Sequence, residues 1–239
     1  VVALYSTFLT RAFDQVNLDV GLHGQPVVFV LDRAGITGDD GPSHHGILDM
    51  VLLSKVPGMT IFAPSSYQEL QVQLHDALDL CDGPVSLRWP KTAAPVVEEG
   101  EVGHGLSARK ARTGGDICLI GVGKMFGPCL EAAELLAAEG IEATVWDPRV
   151  IKPLDPDLLA DAASFDVIVT VEDGLREGGI GTTIAQEVAA RTVGTGRNPR
   201  ISVNGVPTEY LAHGKPDAIL ASLGLDAEGI ARTTRILLA

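Results

Sequence analysis

The sequence predicts an α/β protein built from two open, mainly parallel-sheet domains. Three observations carry that prediction. Short apolar runs rich in β-branched residues alternate with segments of helical period, as parallel strands joined by crossover helices require. The alternation stops between Trp89 and Gly105, where "WPKTAAPVVEEGEVGHG" holds two prolines, three glutamates and no period. It then starts again. The expected boundaries are a first domain over residues 1–92, a linker over 93–105 and a second domain over 106–239.

In the first half the apolar runs predict strands at Val1–Leu4, Val27–Leu31, Met59–Ala63 and Val85–Arg88. Leu9, Ala12, Phe13, Val16 and Val20 recur at helical spacing after the first strand. A second helix is expected from Gly46 as far as Lys55. A third spans Tyr67–Leu80 behind a Ser66-x-x-Glu69 capping box. The second half predicts strands near Ile117–Gly121, Ala143–Trp146, Val167–Val171 and Arg200–Val203. Helices near Gly127–Ala138, Asp155–Ala163, Gly181–Val193 and Pro216–Leu223 separate them, and one more closes the chain.

With 46% hydrophobic and 21% charged residues among 239, the chain can bury a sizeable core. Net charge is −13, and an acidic surface repels phosphate backbones, so no nucleic acid is expected as a partner. A phosphorylated small molecule stays open, because a few cations inside a cleft override the global field. No apolar run reaches the ~20 residues of a membrane span. No signal peptide opens the chain, so it reads as cytoplasmic with no membrane partner. Cys81, Cys118 and Cys129 form no close pair and read as reduced, buried thiols. The opening "VVALYSTF" lacks Met and already lies inside a strand-like run, which reads as the middle of a longer polypeptide.

The most informative stretch is "LDRAGITGDDGPSHHGILDM", residues 31–50. It places Asp32, Arg33, Asp39, Asp40, His44 and His45 among four glycines, directly after a strand. In open α/β sheets, ligands bind beyond the carboxyl ends of strands. A His held by neighbouring carboxylates suits proton transfer near neutral pH. A structural polar turn and a metal site are the alternatives. Adjacent His44 and His45 seldom chelate one ion, so no metal ligand is assigned here. At the end of the first strand, "YSTFLTRAF" gathers Tyr5, Phe8 and Arg11, the last two three apart on one helical face. Arg33, Arg88 and Lys91 fall at strand ends too, and three cations at one edge suggest an anion site.

The second half is less specific. "LIGVGKMFG" imitates a dinucleotide loop but is not G-x-G-x-x-G, and only Asp147 contends for a ribose contact. Gly178, Gly179 and Gly181 in "EDGLREGGIGTTI" suggest close backbone packing at a helix start.

Taken together, "YSTFLTRAFDQV", "FVLDRAGITGDDGPSHHG" and "DGPVSLRWPK" resemble the 1-deoxy-D-xylulose-5-phosphate synthase family of the transketolase superfamily. The segments "DICLIGVGKM", "VEDGLREGGIG" and "VPTEYLAHGKPDAIL" are similar to its C-terminal domain, so the resemblance covers the whole chain. It implies a pyrimidine-binding domain and a transketolase C-terminal-like domain. The implied reaction condenses pyruvate with glyceraldehyde 3-phosphate, with release of CO2, at the start of non-mevalonate isoprenoid biosynthesis and on the route to thiamine. The implied cofactors are thiamine diphosphate and Mg2+, and the implied assembly is a homodimer. By this resemblance Phe8 binds the cofactor's aminopyrimidine. Tyr5 and Arg11 line the substrate pocket, and His44, Asp40 and Arg11 are the catalytic residues. Arg33 and Lys91 hold the aldehyde's phosphate, Lys91 standing where the family pattern has an arginine. The family's N-terminal domain, with its Gly-Asp-Gly…Asn magnesium and diphosphate motif, and its activating glutamate have no counterpart in these 239 residues. The chain is therefore expected to be inactive alone. The alternatives are a beta chain of a two-subunit thiamine-diphosphate enzyme and a non-catalytic assembly or regulatory paralogue.

Overall fold

The computed structural model describes residues 1–79 and 82–239, so Leu80 and Cys81 lie outside the described residues. Strand β1 (Val2–Tyr5) leads into α1 (Leu9–Gln15), which continues as a π-helical turn over Val16–Gly21. There follow β2 (Val28–Asp32), α2 (Asp49–Ser54), β3 (Thr60–Phe62), α3 (Tyr67–Asp79) and β4 (Val85–Arg88). After the segment between the halves come β5 (Arg109–Arg112), β6 (Ile117–Gly121), α4 (Phe126–Ala137), β7 (Ala143–Asp147), β8 (Val150–Lys152) and α5 (Pro156–Ala162). The chain ends with β9 (Val167–Leu175), α6 (Ile180–Thr192), β10 (Arg200–Val206), α7 (Pro216–Ser222) and α8 (Ala227–Leu238). Among the described residues no helix is long and apolar enough to cross a membrane.

These strands form two five-stranded sheets, in the orders β1-β2-β4-β3-β8 and β10-β9-β6-β7-β5. The fold class is the one expected: two mostly parallel α/β sheets. Strands β6, β7 and β9 are buried along their whole length, because helices cover both faces. Two strands depart from expectation. The highly charged β5 joins β7 antiparallel, and β8 leaves the second half of the chain to pair antiparallel with β3 of the first sheet. The two halves also share apolar packing: Leu31, Met50 and Leu53 belong to one buried cluster with Ile120, Trp146, Ile168 and Ile180.

Helix α3 buries polar as well as apolar side chains. Glu69, Gln73 and Ala77 face inward, while Tyr67, Leu74 and Leu78 are exposed. The cause is Arg149, a fully buried side chain between β7 and β8. Its Nε donates to Glu69 Oε2 (2.8 Å), and its Nη1 donates to the carbonyls of His104, Gly105 and Ser107. Half of the expected capping box remains, since the Glu69 N–H donates to Ser66 Oγ (3.1 Å). The other half is lost because the Glu69 carboxylate serves Arg149 and the Gly103 N–H instead. The segment between the halves is thereby bound down: Tyr67 N–H meets Pro95 O (3.0 Å) and Val97 N–H meets Gln68 Oε1 (3.1 Å).

Close by, Asp147 is fully buried, accepting from Ser65 Oγ (2.6 Å) and the Arg149 N–H (3.0 Å). Burial pushes its carboxyl up to about 7, against the Ser65 hydrogen bond and helped by the nearby Glu69 charge. Between the unfolded pKa of ~4 and that value, the folded state holds the extra proton, so stability falls as pH rises through the window. We expect the wild type to lose about 1.4 kcal/mol per pH unit there relative to Asp147→Asn, which cannot titrate. Urea unfolding at several pH values between 4.5 and 6.5 measures the difference; parallel curves for the two proteins refute it. An Asp so enclosed faces no ribose, which removes the dinucleotide reading at this position.

Candidate active site

The carboxyl ends of β1, β2 and β4 lie side by side, with Tyr5 in register with Asp32 and Leu31 with Arg88. The residues that follow these three neighbouring strands therefore meet at one edge. Tyr5 closes β1, and a short 3-10 turn over Ser6–Phe8 starts the helix that carries Arg11. Leu9 turns into the core, leaving Phe8 38% exposed. Residues 33–46 form the loop after β2. Its stems are pinned by reciprocal backbone hydrogen bonds between Gly35 and Gly46, both 2.8 Å, and by Ser6 Oγ on Gly46 O (3.1 Å). Gly46 has to be glycine, because a Cβ there would lie 2.5 Å from Arg33 O. Arg33 itself takes a left-handed conformation (φ 58°), held by its N–H on Asp32 Oδ1 (2.6 Å).

The side chains make one connected group. Tyr5 stacks on Phe8 with centroids 5.8 Å apart and planes 21° apart, and His44 meets Phe8 edge-on at 5.6 Å. The Arg11 guanidinium lies 5.6 Å from the Phe8 centroid, and that of Arg33 lies 4.2 Å from the Tyr5 centroid. Asp40 Oδ2 accepts from both Arg33 Nη1 (2.8 Å) and Lys91 Nζ (2.9 Å). The Lys91 hydrogen bond, then the Lys91 and Arg33 charges, hold the Asp40 carboxyl below its ordinary value. All seven expected residues thus belong to one network at one sheet edge.

Two details differ from expectation. The imidazole of His44 is not held by a carboxylate: its Nδ1 is 2.9 Å from Ser43 Oγ, while Asp40 is spent on the two cations. Arg88 is no part of an anion site. It is buried with Asp49 on its Nε and Asp173 of the second half on its Nη1, both at 2.8 Å. His45 faces inward, and its Nδ1 accepts the Thr37 N–H (3.1 Å), which leaves the ring proton on Nε2. Burial lowers its pKa. An apolar cleft of about 430 Å3 opens beside the group, between Thr7, Ser43 and Leu48 of the first half and Leu175, Tyr210 and Leu211 of the second.

The glycines of "EDGLREGGIGTTI" pack closely, as expected. A Cβ on Gly179 or Gly181 would collide with Leu175 O or Thr170 Oγ1, and the Glu172 carboxylate accepts the N–H groups of Ile180 (3.2 Å) and Gly181 (2.8 Å). The crevice where the second sheet reverses strand order, between β6 and β9, is filled by the first half. Gly123 faces Ala63 there, and Gly174 abuts Met50. Cys118 and Cys129 are buried free thiols, their pKa raised by burial; Cys81 lies outside the described residues. Among the described residues no cluster of three or more His, Cys, Asp or Glu is placed to hold a metal ion. The residues that sequence reasoning missed are Ser43, Asp49, Asp173 and Arg149. A charged residue inside an otherwise apolar strand, as in "VIVTVED", was the available signal for Asp173.

Two α/β units with an aromatic and cationic group at one sheet edge match known families over most of the chain. The model described as "Transketolase, pyrimidine binding domain" matches residues 1–96, and "Transketolase, C-terminal domain" matches residues 106–230. The chain belongs to the transketolase family. Among curated proteins it is similar to 1-deoxy-D-xylulose-5-phosphate synthases. The one from Parafrankia sp. (strain EAN1pec) is 44% identical over 237 residues, covering 97% of this chain and 36% of that protein. The one from Thermobifida fusca (strain YX) is 43% identical, covering 97% and 37%. The chain therefore spans little more than a third of the length of these relatives. Among solved structures it is similar to a split-gene transketolase described as an inactive beta4 tetramer. The TM-score is 0.88 at 26% identity, covering 99% of this chain and 75% of that one. A transketolase mutant from Pichia stipitis, at 18% identity and a TM-score of 0.76, shares the fold.

Proposed function

We propose that this chain supplies the pyrimidine-binding and C-terminal domains of a 1-deoxy-D-xylulose-5-phosphate synthase. The complete enzyme would condense pyruvate with glyceraldehyde 3-phosphate and release CO2. The observation that carries the reading is the network joining Tyr5, Phe8, His44, Arg33, Asp40 and Lys91 at one strand edge. The domains are taken as residues 1–92 and 106–239 with the linker at 93–105, and the enzyme as a cytoplasmic, Mg2+-dependent homodimer.

Thiamine diphosphate, when bound, supplies the electron sink for decarboxylation and carbon–carbon bond formation. Phe8 fits the cofactor's flat heteroaromatic ring: it is partly exposed, and Tyr5 and His44 already flank it in stacked and edge-on geometry. Magnesium and the diphosphate would be held by residues outside this chain. Arg33 and Lys91 form an anion site that Asp40 occupies in the free protein, so a phosphate binds by displacing one carboxylate oxygen from two cations. His44, with Nδ1 oriented by Ser43, keeps Nε2 for proton transfer on the substrate, and Arg11 lines the pocket beside it.

Arg33→Ala tests the phosphate assignment in the complete enzyme. The expected result is a KM for the aldehyde raised about tenfold to a hundredfold, with the KM for pyruvate little changed. Loss of one charge-assisted contact of about 1.5–3 kcal/mol sets that range. Equal weakening of both substrates would sink the assignment. One observation favours a second reading, a beta chain of a two-subunit enzyme: the match covers 75% of the split-gene transketolase chain but 33% of the Pichia stipitis transketolase chain. Intact mass of the purified protein, with and without a co-purifying subunit, separates the two.

A further inference from the structure

The loop that carries Arg33, Asp40 and His44 is held at its stems by its own domain, but along its crest by the other one. Ala34 N–H donates to Trp89 O (2.9 Å), and Gly35 pairs with Gly46, all within the first domain. Beyond the stems the partners change. The Gly214 N–H donates to Gly38 O (3.3 Å), and the Pro216 ring lies where a Cβ on Gly38 would sit. His213 Cβ is 3.5 Å from the Cβ position of Gly41, and the Leu175 N–H donates to Ile47 O (3.1 Å). Behind these contacts stands Asp173. One of its oxygens accepts from Arg88 Nη1 (2.8 Å), and the other would lie 1.8 Å from a Cβ on Gly35. Arg88 is the last residue of β4, one step before the Trp89 carbonyl that holds Ala34, and its Nε is bound to Asp49.

Three buried charges with a net charge of −1 are a poor device for stability, since desolvation offsets much of their attraction. They do impose a geometry. Burial raises Asp49, whereas Asp173 stays low: burial opposes its ionisation, but the Arg88 and Lys124 charges outweigh it. Asp173 therefore ties Arg88 to the end of β9 and packs against the bare backbone of Gly35.

We propose that Asp173 is a positioning residue: from the second domain it sets, through Arg88 and Gly35, the conformation of the loop presenting Arg33, Asp40 and His44. The second domain is then a working part of the anion site rather than an appendage to it. The inference rests on reading that loop as the substrate site, and its test has one arm independent of that reading.

Asp173→Asn keeps the shape and an acceptor for Arg88, and it leaves a neutral Asp49–Arg88 pair, so the fold is expected to survive. In this chain, amide hydrogen exchange over residues 34–47 should speed up about tenfold or more, as for losing one charge-assisted contact, while β6 and β7 exchange as in the wild type. In the complete enzyme, the KM for the aldehyde should rise about tenfold with cofactor affinity unchanged. Unchanged exchange in the loop, or acceleration spread equally over both sheets, overturns the proposal. So does a fall in kcat alone that tracks the folded fraction. Should the wild type turn over neither substrate, the functional reading fails, and the exchange result still decides the positioning role. Should Asp173→Asn not fold, Arg88→Lys decides it, because it keeps the buried positive charge but lacks the guanidinium that reaches Asp49 and Asp173 at once. Faster exchange confined to residues 34–47 supports the proposal, and none overturns it.

Discussion

Replacing His44 by alanine in the complete enzyme is expected to lower turnover by about 100-fold or more, as for the loss of a positioned acid–base group. The effect on thiamine-diphosphate affinity is expected to be small. On the proposed reading the diphosphate and magnesium are held by residues outside this chain, while His44 meets the edge of the Phe8 ring at 5.6 Å. Turnover must fall further than affinity does. A titration of cofactor binding beside a steady-state assay checks the order, and the reverse order would make His44 a wall of the cofactor pocket. Ser43 sharpens the test, because its hydroxyl is the hydrogen-bond partner of His44 Nδ1. Ser43→Ala should give a smaller loss in the same direction.

The largest effect on stability is expected at Arg149. Its side chain is fully buried, and its removal leaves the Glu69 carboxylate enclosed with only the Gly103 N–H and Gln73 as partners. Breaking a buried pair by deleting one member costs about 3–5 kcal/mol. Arg149→Met should therefore destabilise the chain by that much in urea unfolding. The same change made on a Glu69→Gln background should cost clearly less, because no unpaired buried charge remains. Simple additivity of the two substitutions would show that the pair is not coupled as its 2.8 Å contact implies. Gly103 belongs to this unit too, since a Cβ there would lie 2.3 Å from Arg149 Nε.

How far the sequence carries can be judged from particular residues. The strands Val85–Arg88 and Ile117–Gly121 were legible to the residue, because apolar runs bounded by turn residues report burial against a segment's own sheet. The charged loop after β2 was legible for a similar reason. Ionisable residues among glycines after a strand fall at the carboxyl edge, and neighbouring parallel strands put Tyr5, Arg33 and Lys91 side by side. Residue chemistry alone grouped Arg88 with Arg33 and Lys91, and the choice of the seven site residues came from the family resemblance. Strand β5, "RKAR", was invisible, since a short antiparallel edge strand leaves no apolar period to read.

What only the tertiary structure decided is where one half of the chain meets the other. Arg88 looked like a third cation for an anion, but Asp173, 85 positions away, makes it a buried brace. Helix α3 carries an apolar stripe, yet it turns Glu69 and Gln73 inward because Arg149, 80 positions on, enters the space beneath it. Asp40 bridges Arg33, 7 positions before it, and Lys91, 51 positions after it, and so gives His44 no hydrogen bond. In each case the local pattern records that a side chain is charged or apolar. Its partner is chosen by which distant group arrives within about 3 Å, since a buried charge must be paired wherever the fold supplies a counter-charge.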